Sequence, residues 1–159
     1  NPERYRNDDP GSQGVISMKT KPRTILKHAV LALIGGCVYF LIELFWRGHS
    51  HWTMAVMGGV CFILIGDINE FIPWNMPLIL QGGIGSVVIT AMELFCGVVL
   101  NLWLKLDIWD YSTMPFNFLG QICLPFSLLW VALSIVAVIL DDWLRYWRFK
   151  EERPTYKFF

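Results

Sequence analysis

The sequence predicts an all-α polytopic membrane protein, with four transmembrane helices in two antiparallel hairpins and both termini cytoplasmic. Three observations predict it. Of 159 residues, 55% are hydrophobic and 16% charged, which is too apolar for a water-soluble domain of this size. A spanning helix needs about 20 mostly apolar residues, and runs of that kind start near Ala29, Trp52, Leu78 and Leu119. Basic residues gather at the two ends. Lys19, Lys21, Arg23 and Lys27 precede the first run, and Arg145, Arg148, Lys150, Arg153 and Lys157 follow the last, whereas the loops between hold chiefly Arg47 and Lys105. Lys and Arg beside helix ends stay on the cytoplasmic side.

Residues 1–17 are polar and rich in Gly, Pro, Asp and Asn, the composition of a disordered tail or of a non-native remnant ahead of a start at Met18. Residues 18–150 form the predicted four-helix transmembrane domain, and residues 151–159 a cytoplasmic tail. The first apolar run lacks a small-residue cleavage site, so it is read as a retained span. Span 1 covers 29–46, and a short loop, Arg47, Gly48, His49, Ser50, His51, makes spans 1 and 2 a hairpin. Span 2 turns polar at Asp67, Asn69 and Glu70, which cap and solvate its inner end, and Pro73 and Pro77 bracket the inner turn. Span 3 covers 78–104 and leads into the longest loop, 105–118, bent at Pro115. Span 4 covers 119–140 and continues as helix through Arg145 and Arg148, supported by the i, i+4 pair of Asp141 and Arg145. Trp46, Trp52, Trp103, Trp109 and Tyr111 fall at outer ends and Trp74, Trp143, Tyr146 and Trp147 at inner ones, giving two aromatic belts. Glycine pairs at Gly35–Gly36, Gly58–Gly59 and Gly82–Gly83, with Gly85 nearby, suit helices that approach closely.

Glu93 is the residue of most functional interest, because it lies inside the third span. A charge at the centre of a spanning helix costs roughly 2.5 to 3.5 kcal/mol on insertion scales, so such residues face the bundle interior and mark polar sites. Placed by depth, Glu43, Arg47, Asp107, Asp110, Asn117 and Gln121 gather on the same side as Glu93. Glu43 and Arg47 pair at i, i+4, with Glu93 facing them across the bundle. The acidic excess favours a cation or an amine-bearing solute, while a salt-bridge network that holds the helices in register explains the same residues structurally. His49 and His51, with nearby carboxylates, are candidate metal ligands, although two loop histidines at i, i+2 are more often hydrogen-bonded or solvent-facing. Arg47 suits either Glu43 or a lipid phosphate.

Cys37, Cys61, Cys96 and Cys123 fall one per span without metal-site spacing and read as small apolar packing. No nucleotide-binding loop, G-x-S-x-G elbow or H-E-x-x-H motif occurs, so the chain does not read as an enzyme and no cofactor is implied. The basic ends match anionic lipid better than nucleic acid.

Trp109, Asp110, Tyr111 and Ser112, then Pro115, Phe116 and Asn117, then Gly120 through Ser127 (Gly, Gln, Ile, Cys, Leu, Pro, Phe, Ser) and Trp130 form a continuous pattern. It resembles the signature of a bacterial family, the putative ABC-transporter type IV membrane proteins, often labelled ABC transporter permeases. The likeness extends over Met18 to the C-terminus. It implies a multi-pass protein of the bacterial plasma membrane, and its label implies an ATPase partner. It also implies that Trp109, Asp110, Asn117 and Gln121 fold over the bundle mouth as a re-entrant lid above Glu93, and Tyr111 of the same signature joins the candidate polar network. The resulting expectation is a transport or channel-like subunit, assembled as a homo-oligomer or with another membrane subunit. The rival expectation is a membrane scaffold or assembly protein whose polar network is structural.

Overall fold

The computed structural model describes residues 22–68 and 76–157. The expected tail 1–17 and the inner-turn residues Asn69, Glu70, Pro73 and Trp74 lie outside them. Four helices dominate: α1 (Pro22–Arg47), α2 (Trp52–Gly66), α3 (Leu78–Cys96) and α4 (Leu124–Phe149). A π-helical segment, Gly97–Trp103, prolongs α3. α1 packs on α2 and α3 on α4, and α2 also contacts α3 and α4. The all-α expectation holds, apart from a two-residue β-hairpin in the last loop.

Among the described residues, three helical stretches are long and apolar enough to cross a membrane: Thr24–Arg47, Leu78–Trp103 and Leu124–Phe149. α2 is not, because its 15 residues rise roughly 22 Å at 1.5 Å per residue, against a hydrocarbon core of about 30 Å. Large apolar side chains such as Leu33, Leu41, Phe45, Val87, Phe95, Leu128 and Val136 stand exposed on the other helices. That pattern suits a lipid surround, where every backbone group is satisfied within its helix and the side chains meet hydrocarbon. α2 buries Met54, Met57, Cys61, Phe62 and Ile65 on one side and exposes Val56, Val60 and Leu64 on the other.

Close approach of α1 and α2 explains the glycine pairs of those two helices, whereas Gly83 of the third pair faces open space. A Cβ on Gly36 would lie 2.4 Å from the Ala55 carbonyl oxygen, and one on Gly59 would lie 2.6 Å from that of Ala32, so α1 and α2 touch main chain to main chain.

The start of the last helix differs from expectation. Residues 119–123 are not helical, because Asn117–Phe118 pairs antiparallel with Ile122–Cys123 and the chain turns through Leu119 and Gly120 at positive φ. α4 begins at Leu124 with Pro125 in its first turn, a position where a missing N–H costs nothing. At the opposite end α4 stops at Lys150 in a left-handed conformation. The chain then folds back: Lys27 bonds Glu151, Pro154 is buried, and the Leu78 amide donates to the Lys157 carbonyl at 2.8 Å. This is the terminal end of the bundle. The end where α1 passes into α2 and α3 into α4 is the turn end.

Candidate functional site

Glu93 is 2% exposed, and its two carboxylate oxygens are held by different elements. The Trp130 indole of α4 donates to Oε2 at 2.9 Å, and the Tyr111 hydroxyl of the last loop donates to Oε1 at 3.0 Å. Tyr111 stacks on Phe126, their ring centroids 4.7 Å apart, so three aromatic side chains wall the carboxylate. Burial, and then the neighbouring Glu93 charge, push the Tyr111 phenol well above its ordinary range, so it stays protonated and donates. Both donors to Glu93 are neutral. Among the described residues Glu93 makes no ion pair.

The loop reaches Glu93 because a second network fixes it. Asn101, 6% exposed on the π-helical segment, donates to the Trp109 carbonyl at 2.9 Å and to Gln121 Oε1 at 2.8 Å, and accepts from the Ile108 amide at 2.8 Å. The Trp109 indole donates to the Gln121 carbonyl at 3.0 Å, and the Tyr111 amide to the Gly120 carbonyl at 2.8 Å. The wider π-turn, often found at functional sites, lets the Gln121 segment sit directly on the helix. A Cβ on Gly97 would lie 2.5 Å from Gln121 Oε1.

Glu43 and Arg47 lie on the neighbouring helix. Arg47 donates to Glu43 Oε1 at 2.9 Å and to the Ile108 carbonyl at 2.7 Å, tying α1 to the loop, while Ser50 donates to the other Glu43 oxygen. Tyr39 separates this pair from Glu93, its ring centroid 6.2 Å from that of Trp130. Asp110 and Asn117 serve the loop itself: Asp110 accepts from the Ser112 amide and hydroxyl, and Asn117 donates to the Ser112 and Met114 carbonyls. Asp107 is exposed, at positive φ. His51 bonds the Thr53 hydroxyl at 2.8 Å and caps α2, and His49 is exposed. Among the described residues no three His, Cys, Asp or Glu side chains gather as a metal set.

The residue pattern from Trp52 to Glu152, which holds Glu93, the last loop and Trp130, matches the family model described as Putative ABC-transporter type IV over residues 52–152. The chain belongs to that family. As a type IV protein it is a transporter-type membrane protein with transmembrane helices. No curated protein and no solved structure matches it.

The sequence reading did not single out two residues of this centre. Asn101 was hidden as one polar residue in an apolar run, and its depth beside Glu93 two turns earlier was the available signal. Trp130 passed as the end of a signature, although a buried indole needs an acceptor.

Proposed function

We propose that this type IV protein is a small transport or channel-like subunit of the bacterial plasma membrane. Its turn end would be a polar site, centred on Glu93, for a cation or an amine-bearing solute. The observation that carries the reading is a buried carboxylate held by two neutral donors and by no cation. A buried charge is expensive unless paired, and a site for an exchangeable positive charge leaves that pairing to the solute. Glu43, Arg47, Trp109, Asp110, Tyr111, Asn117 and Gln121 then hold the lid and helix that enclose it.

In this reading four helices cross, with both termini cytoplasmic and the turn end outward. α2 crosses despite its length, with Trp52, Val56, Val60 and Leu64 as an exposed stripe that faces lipid. A single four-helix subunit has little room for a solute path, so a homo-oligomer or a partner subunit is the simpler route, and the family label extends the partner to an ATPase. One observation favours the rival, a scaffold with a structural network: Glu93 is enclosed as fully as a core residue.

Thermal unfolding in mild detergent with sodium, potassium, methylamine and spermidine separates the two readings. A ligand at 100 times its Kd stabilises by about 2.7 kcal/mol. The expected result is a rise in Tm with at least one of these probes in the wild type and none in Glu93→Gln. No rise in either protein would favour the scaffold.

A further inference from the structure

α1 and α4 part toward the turn end, leaving a cleft of about 1110 Å³ lined by Ile42, Phe45, Leu129 and Leu133, with Glu43, Arg47 and Asp110 at its rim. It does not end at the loop. A narrower apolar slot continues from the shared residues Tyr39, Ile42, Trp130 and Leu133 down to Gly35, Phe62 and Leu140. We propose that this cleft binds one membrane phospholipid with an ethanolamine head, entering sideways from the leaflet at the turn end.

Depth, polarity and charge each support that occupant. From Arg47 to Gly35 is twelve residues of α1, roughly 18 Å at 1.5 Å per residue, and half of a 30 Å hydrocarbon core is about 15 Å. The cleft and its slot therefore run from the headgroup level to the membrane midplane, the reach of one leaflet's acyl chains. Polarity changes in the same direction, charged at the rim and apolar below.

The rim charges suit a zwitterion. Arg47 gives two N–H donors to Glu43 and the Ile108 carbonyl, and a guanidinium carries five, so it keeps donors for a phosphate. Asp110 is exposed and accepts from Ser112 through both oxygens, and as a carboxylate it retains further acceptor sites for an ammonium group. An anionic glycerol head would meet the rim's two carboxylates without an ammonium to answer them. The assignment concerns the cleft and goes beyond the enclosed Glu93 carboxylate.

The test is native mass spectrometry of delipidated protein incubated with equal amounts of phosphatidylethanolamine and phosphatidylglycerol of identical chains. The wild type is expected to keep one lipid, with ethanolamine favoured by on the order of tenfold, the worth of one charge-assisted hydrogen bond. Asp110→Asn keeps an acceptor for Ser112 but removes the charge, and should bring the ratio near one. Leu133→Trp and Ile42→Trp fill the cleft from opposite walls and should each lose the adduct. Leu128→Trp, on the exposed face of α4, should keep it. Circular dichroism and elution volume identify which variants are folded. The Glu93 site is judged by stabilisation with cations and amines and the cleft by the lipid ratio of Asp110→Asn, so the two readings fail separately. Equal retention of both lipids by the wild type means annular lipid only and overturns the proposal. An unchanged ratio in Asp110→Asn overturns it as well.

Discussion

Glu93 at the turn end and Asp141 at the terminal end are both almost inaccessible carboxylates in one small bundle, 2% and 0% exposed, yet they are held in opposite ways. Asp141 accepts from Arg145 Nε at 2.5 Å, and the same guanidinium donates through Nη2 to Asp67 on α2 at 2.7 Å. His28 of α1 reaches Asp67 at 3.3 Å. Gly66 makes room for this cluster, since a Cβ there would lie 2.3 Å from the Asp141 carboxyl carbon. Just beyond it the Tyr156 phenol is pushed above its ordinary range, by burial and then by the Asp142 carboxylate. The terminal end thus answers carboxylate with guanidinium and joins α1, α2 and α4. The turn end answers it with an indole and a phenol. An internally paired cluster locks helices together, whereas the carboxyl group met by neutral donors has no cationic partner among the described residues.

Breaking the lock should have the larger consequence for stability. Arg145→Leu leaves two carboxylates without their guanidinium, and removing one member of a buried pair typically costs 3 to 5 kcal/mol. The expected outcome is a large drop in detergent Tm, and a variant that melts with the wild type would show that Asp67 and Asp141 do not need Arg145. Next in size is Asn101→Leu, which strips partners from the Ile108 amide, the Trp109 carbonyl and Gln121. A buried polar group left unsatisfied costs about 1 to 3 kcal/mol, and limited proteolysis should cut the loop at 104–116 faster while the helices survive. Trp130→Phe and Tyr111→Phe each remove one donor to Glu93 and should cost roughly 0.6 to 2 kcal/mol, as interhelical hydrogen bonds in membranes do. If either matched Arg145→Leu, the contrast between the two ends would collapse. The smallest effect expected is His51→Ala, the loss of a side-chain cap on α2, about 1 kcal/mol or less, seen as a slight fall in Tm.

The long apolar runs and their helical character were legible in the sequence, since length and hydropathy decide both. So were the i, i+4 pairs Glu43–Arg47 and Asp141–Arg145, which depend on helix geometry alone. Partners brought together by folding were not. Asp67 reads as a helix-end residue and is the C-cap of α2, but its bond to Arg145, 78 positions away, has no signal in the sequence. The stretch 119–123 is apolar enough to pass for helix, and the hairpin that replaces it depends on Asn117, whose side chain accepts from the Gly120 amide at 3.2 Å. α2 is where the starts of apolar runs and helix length part company, because its run counts as a fourth start while its 15 helical residues are shorter than a bilayer core. That Tyr111 of the last loop touches Glu93 follows from its stack on Phe126, which no spacing reveals.

The most direct test of the central claim is native mass spectrometry of wild type and Glu93→Gln released from mild detergent, recording subunit stoichiometry and retained mass together. The account predicts a defined oligomer that carries a low-mass cation or amine, with the variant keeping its stoichiometry and losing that mass. Identical spectra for the two proteins, showing only lipid, would contradict it and make Glu93 a structural residue like Asp141.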